Sequence, residues 1–474
     1  MGLDYQIKRL SSFCSEKSLR CDYKYASSFE VSYKECYSYK DLFDFISYKK
    51  IELAQLDSFQ YSEISNVNKL GEVEPITLSF SNRQEENESL FKKIEKGDVI
   101  KPISGDILIS KIRPYLNKNI LVENGDVYFT KAFIHIRPKI NSELFYILLR
   151  TIFFNQLNAV SRQGKGYPTL KEDDLKTIRF PKDIIDKILS LENELLSKIR
   201  PLKNEIAQLK NSKISMLDII NQVFSEEFCF NWYEFEHLKA KNIFKSKLTN
   251  FSNNIDCRMG VRFHNLAGEY LQSFLSRISN KKIKDFIAEP IVLGASISPN
   301  DYDENGEYYY ISMAAVKNYY FESEDAQTVS ISYAKNNDNK TVSKDDIIMT
   351  RSGVAIGKFA LIDENIDGIF SDFTMRIRLK NFNPLLAYYY FRSEFFQYLI
   401  YTYKKGLQNQ NIFPSQIQEL PMPNWNKEKQ SEVIKKITVE LEKQQLIELQ
   451  IEEKQKEIGN LIELAIKKDP IFDI

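Results

Sequence analysis

The sequence predicts an α+β protein made of two α/β globules, each followed by a long helix, with the two helices pairing as an antiparallel coiled coil. Two helical seams and one internal repeat predict it. From Asp183 to Phe224 the chain is charged, and its apolar residues Leu195, Ile199, Leu202, Ile206, Leu209, Met216, Ile220 and Val223 fall at steps of three and four, broken only at Lys213. From Asn426 to Lys468 the pattern returns with Ile434, Ile437, Leu441, Ile447, Ile451, Ile458 and Leu461. A run of about 40 residues spans roughly 60 Å as a helix and is only marginally stable alone, so each seam asks for a partner and the other supplies it.

The repeat has an offset of about 240 residues. Asp106-Ile-Leu-Ile-Ser-Lys111 matches Asp346-Ile-Ile-Met-Thr-Arg351, Lys118 falls opposite Lys358, and Ile136-Arg137 matches Ile377-Arg378. At an offset of 242, Phe153-Phe154 matches Phe395-Phe396, Gly164 matches Gly406, Leu175 matches Ile417, Ile178 matches Leu420 and Pro181 matches Pro423. Lys40-Asp41 pairs more weakly with Lys284-Asp285, and Ile64-Ser65 with Ile311-Ser312. Duplication of one unit accounts for so many ordered matches. The boundaries that follow are a first globule over 1–181, a helix over 182–226, a second globule over 227–423 and a helix over 424–474.

Taken in order, residues 1–60 show irregular structure with a helix near Ser38 to Phe45. Gly105 to Arg113 reads as a strand ending in a basic turn, and Val127 to Arg137 alternates as a second strand, with Asn124-Gly125 between them as a hairpin signal. Ser142 to Leu157 has helical spacing, Gly164-Lys-Gly-Tyr-Pro168 is a loop, and Leu175 to Phe180 is a short strand before Pro181. Asp183 caps the first long helix. Pro201 removes a helix hydrogen bond, so a kink or break is expected near Arg200.

Composition narrows the function. With 474 residues and 43% hydrophobic content there is material for several buried cores, and with 65 basic against 65 acidic residues any nucleic-acid surface must arise from local segregation of charge. Cys14, Cys21, Cys36, Cys229 and Cys257 lack ligand spacing, and His135, His237 and His264 are scattered, so no metal site is expected. The first ten residues form no apolar signal core and no 18-residue apolar stretch occurs, which points to a cytoplasmic protein. Catalytic patterns fail as well. Asn383-Pro384-Leu385 lacks the second proline and the aromatic of an adenine methyltransferase, no phosphate-binding glycine loop precedes a lysine, and Glu452-Glu453-Lys454 lies on a helix. We therefore expect neither catalysis nor a cofactor.

Local charge and loop chemistry point to DNA. Lys101 to Lys118 holds four basic residues and one acid, and Ile347 to Ile362 two basic residues and no acid, an excess suited to phosphate contacts. The glycine loops carry Gln163, Lys165 and Tyr167 in the first half and Lys404, Lys405, Gln408, Asn409, Gln410 and Asn411 in the second. Long amides and lysines at a loop tip are what major-groove reading requires.

The order of elements, the segment Asp346-Ile-Ile-Met-Thr-Arg-Ser-Gly353 through Gly357-Lys358, and the loop-to-strand segments ending in Pro181 and Pro423 before a long helix resemble the specificity subunit of Type I restriction-modification systems. The resemblance covers nearly the whole chain. It implies a non-catalytic subunit whose two target recognition domains each read half of a bipartite site in double-stranded DNA. It also implies helices that space the domains and dock two methyltransferase subunits, with a restriction motor-nuclease joining through the complex and no membrane involved. A fused restriction-methylation enzyme as the partner, or a coiled-coil adaptor for proteins, are the competing readings. The DNA-contacting candidates are Lys111, Arg113, Lys118, Gln163, Lys165 and Tyr167, and Arg351, Ser352, Lys358, Lys404, Lys405, Gln408, Asn409 and Gln410. Gly353 and Gly357 stand opposite Arg113 and Asn117, so the two halves are not expected to use identical contacts.

Overall fold

Apolar runs rich in isoleucine, recurring once in each half, set the two sheet systems of the chain. In a computed structural model, residues 35–467 are described apart from 49, 54, 82, 84–86, 164–166, 242, 248, 250–257, 317, 318, 324, 325 and 407–409. They form two units, Met1–Ser212 with Ile447–Ile474, and Lys213–Leu446.

The first unit contains β1 (Cys36–Tyr37), β2 (Phe43–Phe45), β3 (Phe59–Ser62), β4 (Ile76–Leu78), β5 (Ile107–Ser110), β6 (Ile120–Leu121), β7 (Val127–Phe129), β8 (Phe133–Pro138), β9 (Arg162–Gln163), β10 (Pro168–Thr169) and β11 (Phe180–Pro181). A four-stranded sheet has the order β2-β8-β5-β6 and a three-stranded sheet the order β4-β3-β7. The second unit contains β12 (Val292–Leu293), β13 (Tyr308–Ile311), β14 (Gln327–Val329), β15 (Ile347–Thr350), β16 (Phe359–Leu361), β17 (Gly368–Phe370) and β18 (Thr374–Ile377). Its sheets run β12-β18-β15-β16 and β14-β13-β17, the same two orders. The parallel pair recurs too, β3 with β7 and β13 with β17. Every residue of β5 and of β15 is buried, which explains why they read as continuous apolar runs and not as alternating ones.

Two recurring contacts fix each core. Arg137 clasps Asp106 with Nε and Nη2 at 2.7 and 2.9 Å, and Arg378 clasps Asp346 with the same atoms at 2.7 and 2.7 Å. Both carboxylate side chains are 1% exposed, and paired, bidentate geometry is what makes such burial tolerable. Asp106 also meets buried His135, Nε2 to Oδ2 at 2.6 Å, and Tyr48 reaches the far nitrogen of the ring. Burial pushes the Asp106 carboxyl up, but hydrogen bonds from His135 and Arg137 outweigh it and hold it well below the usual carboxylate range. The second recurring contact is a helix cap. Asn141 accepts from the backbone of Glu143 and Leu144 to start the helix Ser142–Arg150, and Asn383 accepts from Leu385 and Leu386 to start its counterpart Pro384–Arg392. Each cap contributes about 1 kcal/mol.

The helices of the first unit are α1 (Tyr39–Leu42), α2 (Glu88–Glu95), α3 (Ser142–Arg150), α4 (Phe154–Val160), α5 (Glu172–Leu175), α6 (Lys182–Ser190) and α7 (Glu192–Asn211). The second unit has α8 (Met216–Phe228), α9 (Trp232–Lys239), α10 (Leu266–Ile278), α11 (Met313–Val316), α12 (Ile331–Asn336), α13 (Pro384–Arg392), α14 (Glu394–Tyr403) and α15 (Pro414–Gln418). A last helix, α16 (Lys427–Lys467), is 41 residues long. Its residues as far as Leu446 belong to the second unit and those from Ile447 to the first.

In the first unit Ile199 and Ile206 share a core with Ile451, Ile458 and Ile462, and Lys454 pairs with Glu205. In the second, Ile220 and Val223 share a core with Val433 and Ile437, and Glu227 pairs with Lys429 and Lys436 at 2.6 Å each. Both seams are therefore covered by helix and globule together. The most buried positions of α16 are Val433, the expected Ile437, and Ile462, with the expected Ile434 and Leu461 only partly buried.

Several local expectations are corrected. Asp183 to Phe224 is not one helix: it is interrupted at Leu191 and again over residues 212–215. The second interruption follows from Lys213 in the seam and from Ser215, whose Oγ accepts from Asp218 N at 3.1 Å and starts a new helix. Pro201 causes no break, since it lies exposed inside α7, where water can satisfy the carbonyl it leaves free. Pro181, not Asp183, is the N-cap residue, and Asp183 sits in the first turn. Asn124-Gly125 joins no hairpin, because β6 and β7 on either side belong to different sheets. Val127 to Arg137 is likewise two strands, β7 and β8, crossing from one sheet to the other. Leu175 ends a short helix, and only Phe180 of the expected strand is extended, forming with Pro181 a strand paired with β1. Ser142 to Leu157 is two helices, and the expected helix at Ser38 stops at Leu42, where β2 begins. Strand register sets Ser62, not Ile64, opposite Ile311, since Ser62 pairs Phe129 as Ile311 pairs Phe370.

Candidate nucleic-acid interface

The basic turn after β15 is laced to the loop after α14 by backbone hydrogen bonds. Ile412 N donates to Arg351 O at 3.0 Å, Gly353 N donates to Gln410 O at 3.1 Å, and Ser352 bridges Asn411. Lys405 and Asn411 exchange both backbone hydrogen bonds at 2.7 Å, closing the root of the loop. Arg351, Ser352, Lys404, Lys405 and Gln410 are thereby brought together, while Gln408 and Asn409 lie outside the described residues. Gln410 is only 8% exposed, so its amide is not offered at an open loop tip.

The first unit is laced in the same way. Leu170 N donates to Lys111 O at 2.8 Å, Arg113 N donates to Pro168 O at 2.9 Å, and Ile112 bridges Thr169. The Arg113 guanidinium stands 5.5 Å from the centre of the Tyr167 ring, a cation–π distance. Gln163 pairs Pro168 across β9 and β10, and Lys165 lies outside the described residues.

Matching backbone shapes underlie the lacing. Arg113 has φ +49° where Gly353 has +68°, and Asn117 has +52° where Gly357 has +84°. The left-handed turn is thus preserved without glycine in the first unit, at a cost of about 1–2 kcal/mol for a residue such as Arg113.

Not all candidates join this surface. Lys118 Nζ donates to Ile64 O at 3.3 Å, and Lys358 Nζ donates to Tyr319 Oη at 3.2 Å while lying 4.4 Å from that ring. Both are tied to the segment after the first strand of the smaller sheet. Lys111 donates to Lys131 O at 2.7 Å, and burial lowers its pKa against the pull of Glu172 and Asp98. Arg351 anchors its Nε on Asp372 O at 2.7 Å.

Sequence reasoning missed a matched pair of arginines, of which Arg150 holds the first turn and Arg392 packs among tyrosines that include Tyr319, the partner of Lys358. Arg150 donates to the carbonyls of Asn117, Asn119 and Lys69 at 2.7, 3.1 and 2.7 Å and lies over Tyr146. Arg392 donates to Tyr388 Oη at 2.7 Å, and Tyr388 in turn donates to Tyr319 O at 2.6 Å. Tyr146 with Arg150 and Tyr388 with Arg392 are one helical turn apart at the same 242-residue offset, the signal that would have found them.

Residues 275–459 match the family model described as the Type I restriction modification DNA specificity domain. That stretch is similar to a Type I DNA specificity domain. No curated protein sequence matches the chain. Among solved structures, one from a study of complex assembly and conformational transition of the type I R-M system is 14% identical, with 87% of this chain and 92% of that chain covered and a TM-score of 0.36. The HsdS subunit from Thermoanaerobacter tengcongensis is 14% identical over 94% of this chain and 100% of that one, TM-score 0.31. The S subunit of a Type I restriction-modification system from M. genitalium is 9% identical over 93% and 97%, TM-score 0.30.

The matched stretch includes all of β12–β18, the turn at Arg351 and the loop from Lys404 to Asn411. Among the described residues there is no group of three or more His, Cys, Asp or Glu able to hold a metal ion, and no helix long and apolar enough to cross a membrane.

Proposed function

We propose that this chain is the non-catalytic DNA sequence-recognition subunit of a Type I restriction-modification complex. Each unit reads one half of a bipartite site in double-stranded DNA. The helical segments pair as an antiparallel coiled coil and dock two methyltransferase subunits, through which a restriction subunit joins. Residues 1–181 and 227–423 are the two target recognition domains, with 182–226 and 424–474 as spacers.

One observation carries this reading: the lacing of a basic turn to a polar loop occurs twice, once inside the matched stretch and once among residues 111–170, which lie outside it. The reading surface is the laced set Arg113 and Tyr167 in the first unit and Arg351, Ser352, Lys404 and Lys405 in the second. Lys111, Lys118 and Lys358 support it from behind. Gln163, Lys165, Gln408, Asn409 and Gln410 belong to the loops it would present to base edges.

The test is to exchange residues 1–181 for the corresponding part of another specificity subunit and to map methylated bases in a host that also expresses the methyltransferase. One half of the methylated site is expected to change. A change in both halves, or in neither, overturns the assignment of one half-site to each unit.

A further inference from the structure

We infer that Phe373 is a base-reading residue of the second unit, its ring meeting the 5-methyl group of a thymine in the major groove. This rests on the DNA-recognition reading and adds a residue that neither the charge pattern nor the loop composition indicates.

Phe373 lies in the turn between β17 and β18. Its neighbours Phe370, Ser371, Thr374 and Met375 are all buried, yet Phe373 is 48% exposed, and its ring joins none of the apolar cores formed by the described residues. The fold sets that ring beside the laced turn. Arg351 N donates to Phe373 O at 3.0 Å, and Arg351 Nε donates to Asp372 O at 2.7 Å. Thr374 N closes the turn on Ser371 O at 2.9 Å, so the ring is presented from a short turn set between two buried strands.

The same frame in the first unit does without a ring. Lys111 N donates to Ala132 O at 3.0 Å and Lys111 Nζ to Lys131 O at 2.7 Å, as Arg351 does to Phe373 and Asp372. Strand register agrees, since Ser110 pairs Phe133 as Thr350 pairs Thr374. Alanine therefore suffices for the turn, and the phenyl group is an addition to it. The first unit carries an exposed ring at a different place, Tyr115 at 46%, in the turn where the second unit has Ala355. One frame thus offers its aromatic group at two non-equivalent positions.

What a phenyl ring can read is narrow. It has no conventional hydrogen-bond donor or acceptor, and the distinctive apolar group of the major groove is the thymine methyl. Phosphate contact is disfavoured, because the adjacent Asp372 carboxylate, which accepts from Ser296 Oγ at 2.9 Å, would repel it. Wedging between base pairs is disfavoured as well, because about half of the residue is covered by protein and a wedge must enter the stack.

The experiment starts from the bipartite site found by mapping methylated bases, the second unit's half being the one that survives exchange of residues 1–181. Binding of the full chain, assembled with its methyltransferase, is measured on duplexes in which each thymine of that half is replaced in turn by uracil, which removes only the methyl group. At one position the replacement should weaken wild-type binding about fourfold, the worth of one buried methyl group. In Phe373→Ala that penalty should vanish and the mapped site should become degenerate at that position alone, whereas Phe373→Leu should keep part of the preference. The thermal midpoint of each variant reports whether it is folded. If no uracil penalty disappears in Phe373→Ala, this inference is overturned while the DNA reading stands. A wild-type complex that binds its mapped site no better than an unrelated duplex overturns the DNA reading itself.

Discussion

The turn at residues 111–118 and the turn at residues 351–358 follow the same path with different residues. In the second unit two glycines take the left-handed positions, and in the first Arg113 and Asn117 take them. The hydrogen bonds to the neighbouring loop are the same, as is the carboxylate–arginine clasp at the start of each strand. Backbone shape is thus fixed by the lacing and by the buried ion pair, which leaves the side chains of the turn free to differ. That division suits a protein in which two similar frames must present different chemistry.

The clasp is where the comparison can be broken most severely. Asp106→Ala and Asp346→Ala each remove the buried carboxylate that a partly exposed arginine clasps, with Arg378 keeping Glu289 at 3.4 Å, and each should cost about 1–3 kcal/mol in its own unit. Hydrogen exchange should show reduced protection in that unit alone, and a reduction spread evenly over both would refute two independent frames. Asp106 adds a pH dependence. Its folded pKa lies below the unfolded value, so its contribution is complete above about pH 4 and disappears as pH falls through the folded value. In Asp106→Asn the acid side of the stability profile should therefore flatten.

A smaller effect separates the two glycine positions. At Gly357 an added Cβ meets Gln397 Oε1 and Ile400 Cγ2 at 3.0 Å each in addition to the φ of +84°, whereas at Gly353 nothing lies within 4 Å. Gly357→Ala should cost about 2–3 kcal/mol and Gly353→Ala about 1, from left-handed strain alone. Equal destabilisation by chemical denaturation would show that the neighbours of Gly357 yield. The smallest effect is Arg113→Gly, which relieves the strain in the first unit for a gain below about 1 kcal/mol while removing a cation from the proposed DNA surface. A rise in thermal midpoint accompanied by weaker DNA binding is expected, and unaltered binding would exclude Arg113 from the surface.

Much of this architecture was legible in the residues. Ile107 to Ile109 and Ile347 to Met349 announce buried strands by composition, and the matched Arg137 and Arg378 announce a shared role, although only the fold shows that they meet Asp106 and Asp346. What misled was local pattern where long-range pairing decides. Asn124-Gly125 has the chemistry of a hairpin, yet β7 pairs in parallel with β3, more than sixty residues earlier, a choice no turn dipeptide encodes. Pro201 lacks a helix hydrogen bond, but exposure lets water replace it, and Lys213 proved the stronger breaker because it falls on the buried seam. Arg258 was invisible for another reason: it reaches the carbonyls of Tyr403 and Lys404 only through folding.

The core of the first unit draws on residues that arrive very late. Ile199 and Ile206 are covered by Ile451, Ile458 and Ile462, which follow about 240 residues afterwards. A ribosome adding about 5–20 residues per second leaves that apolar face open for roughly 10–50 s. During synthesis the second unit, contiguous from Lys213 to Leu446, can close first, and the unit that begins the chain is the last to be finished.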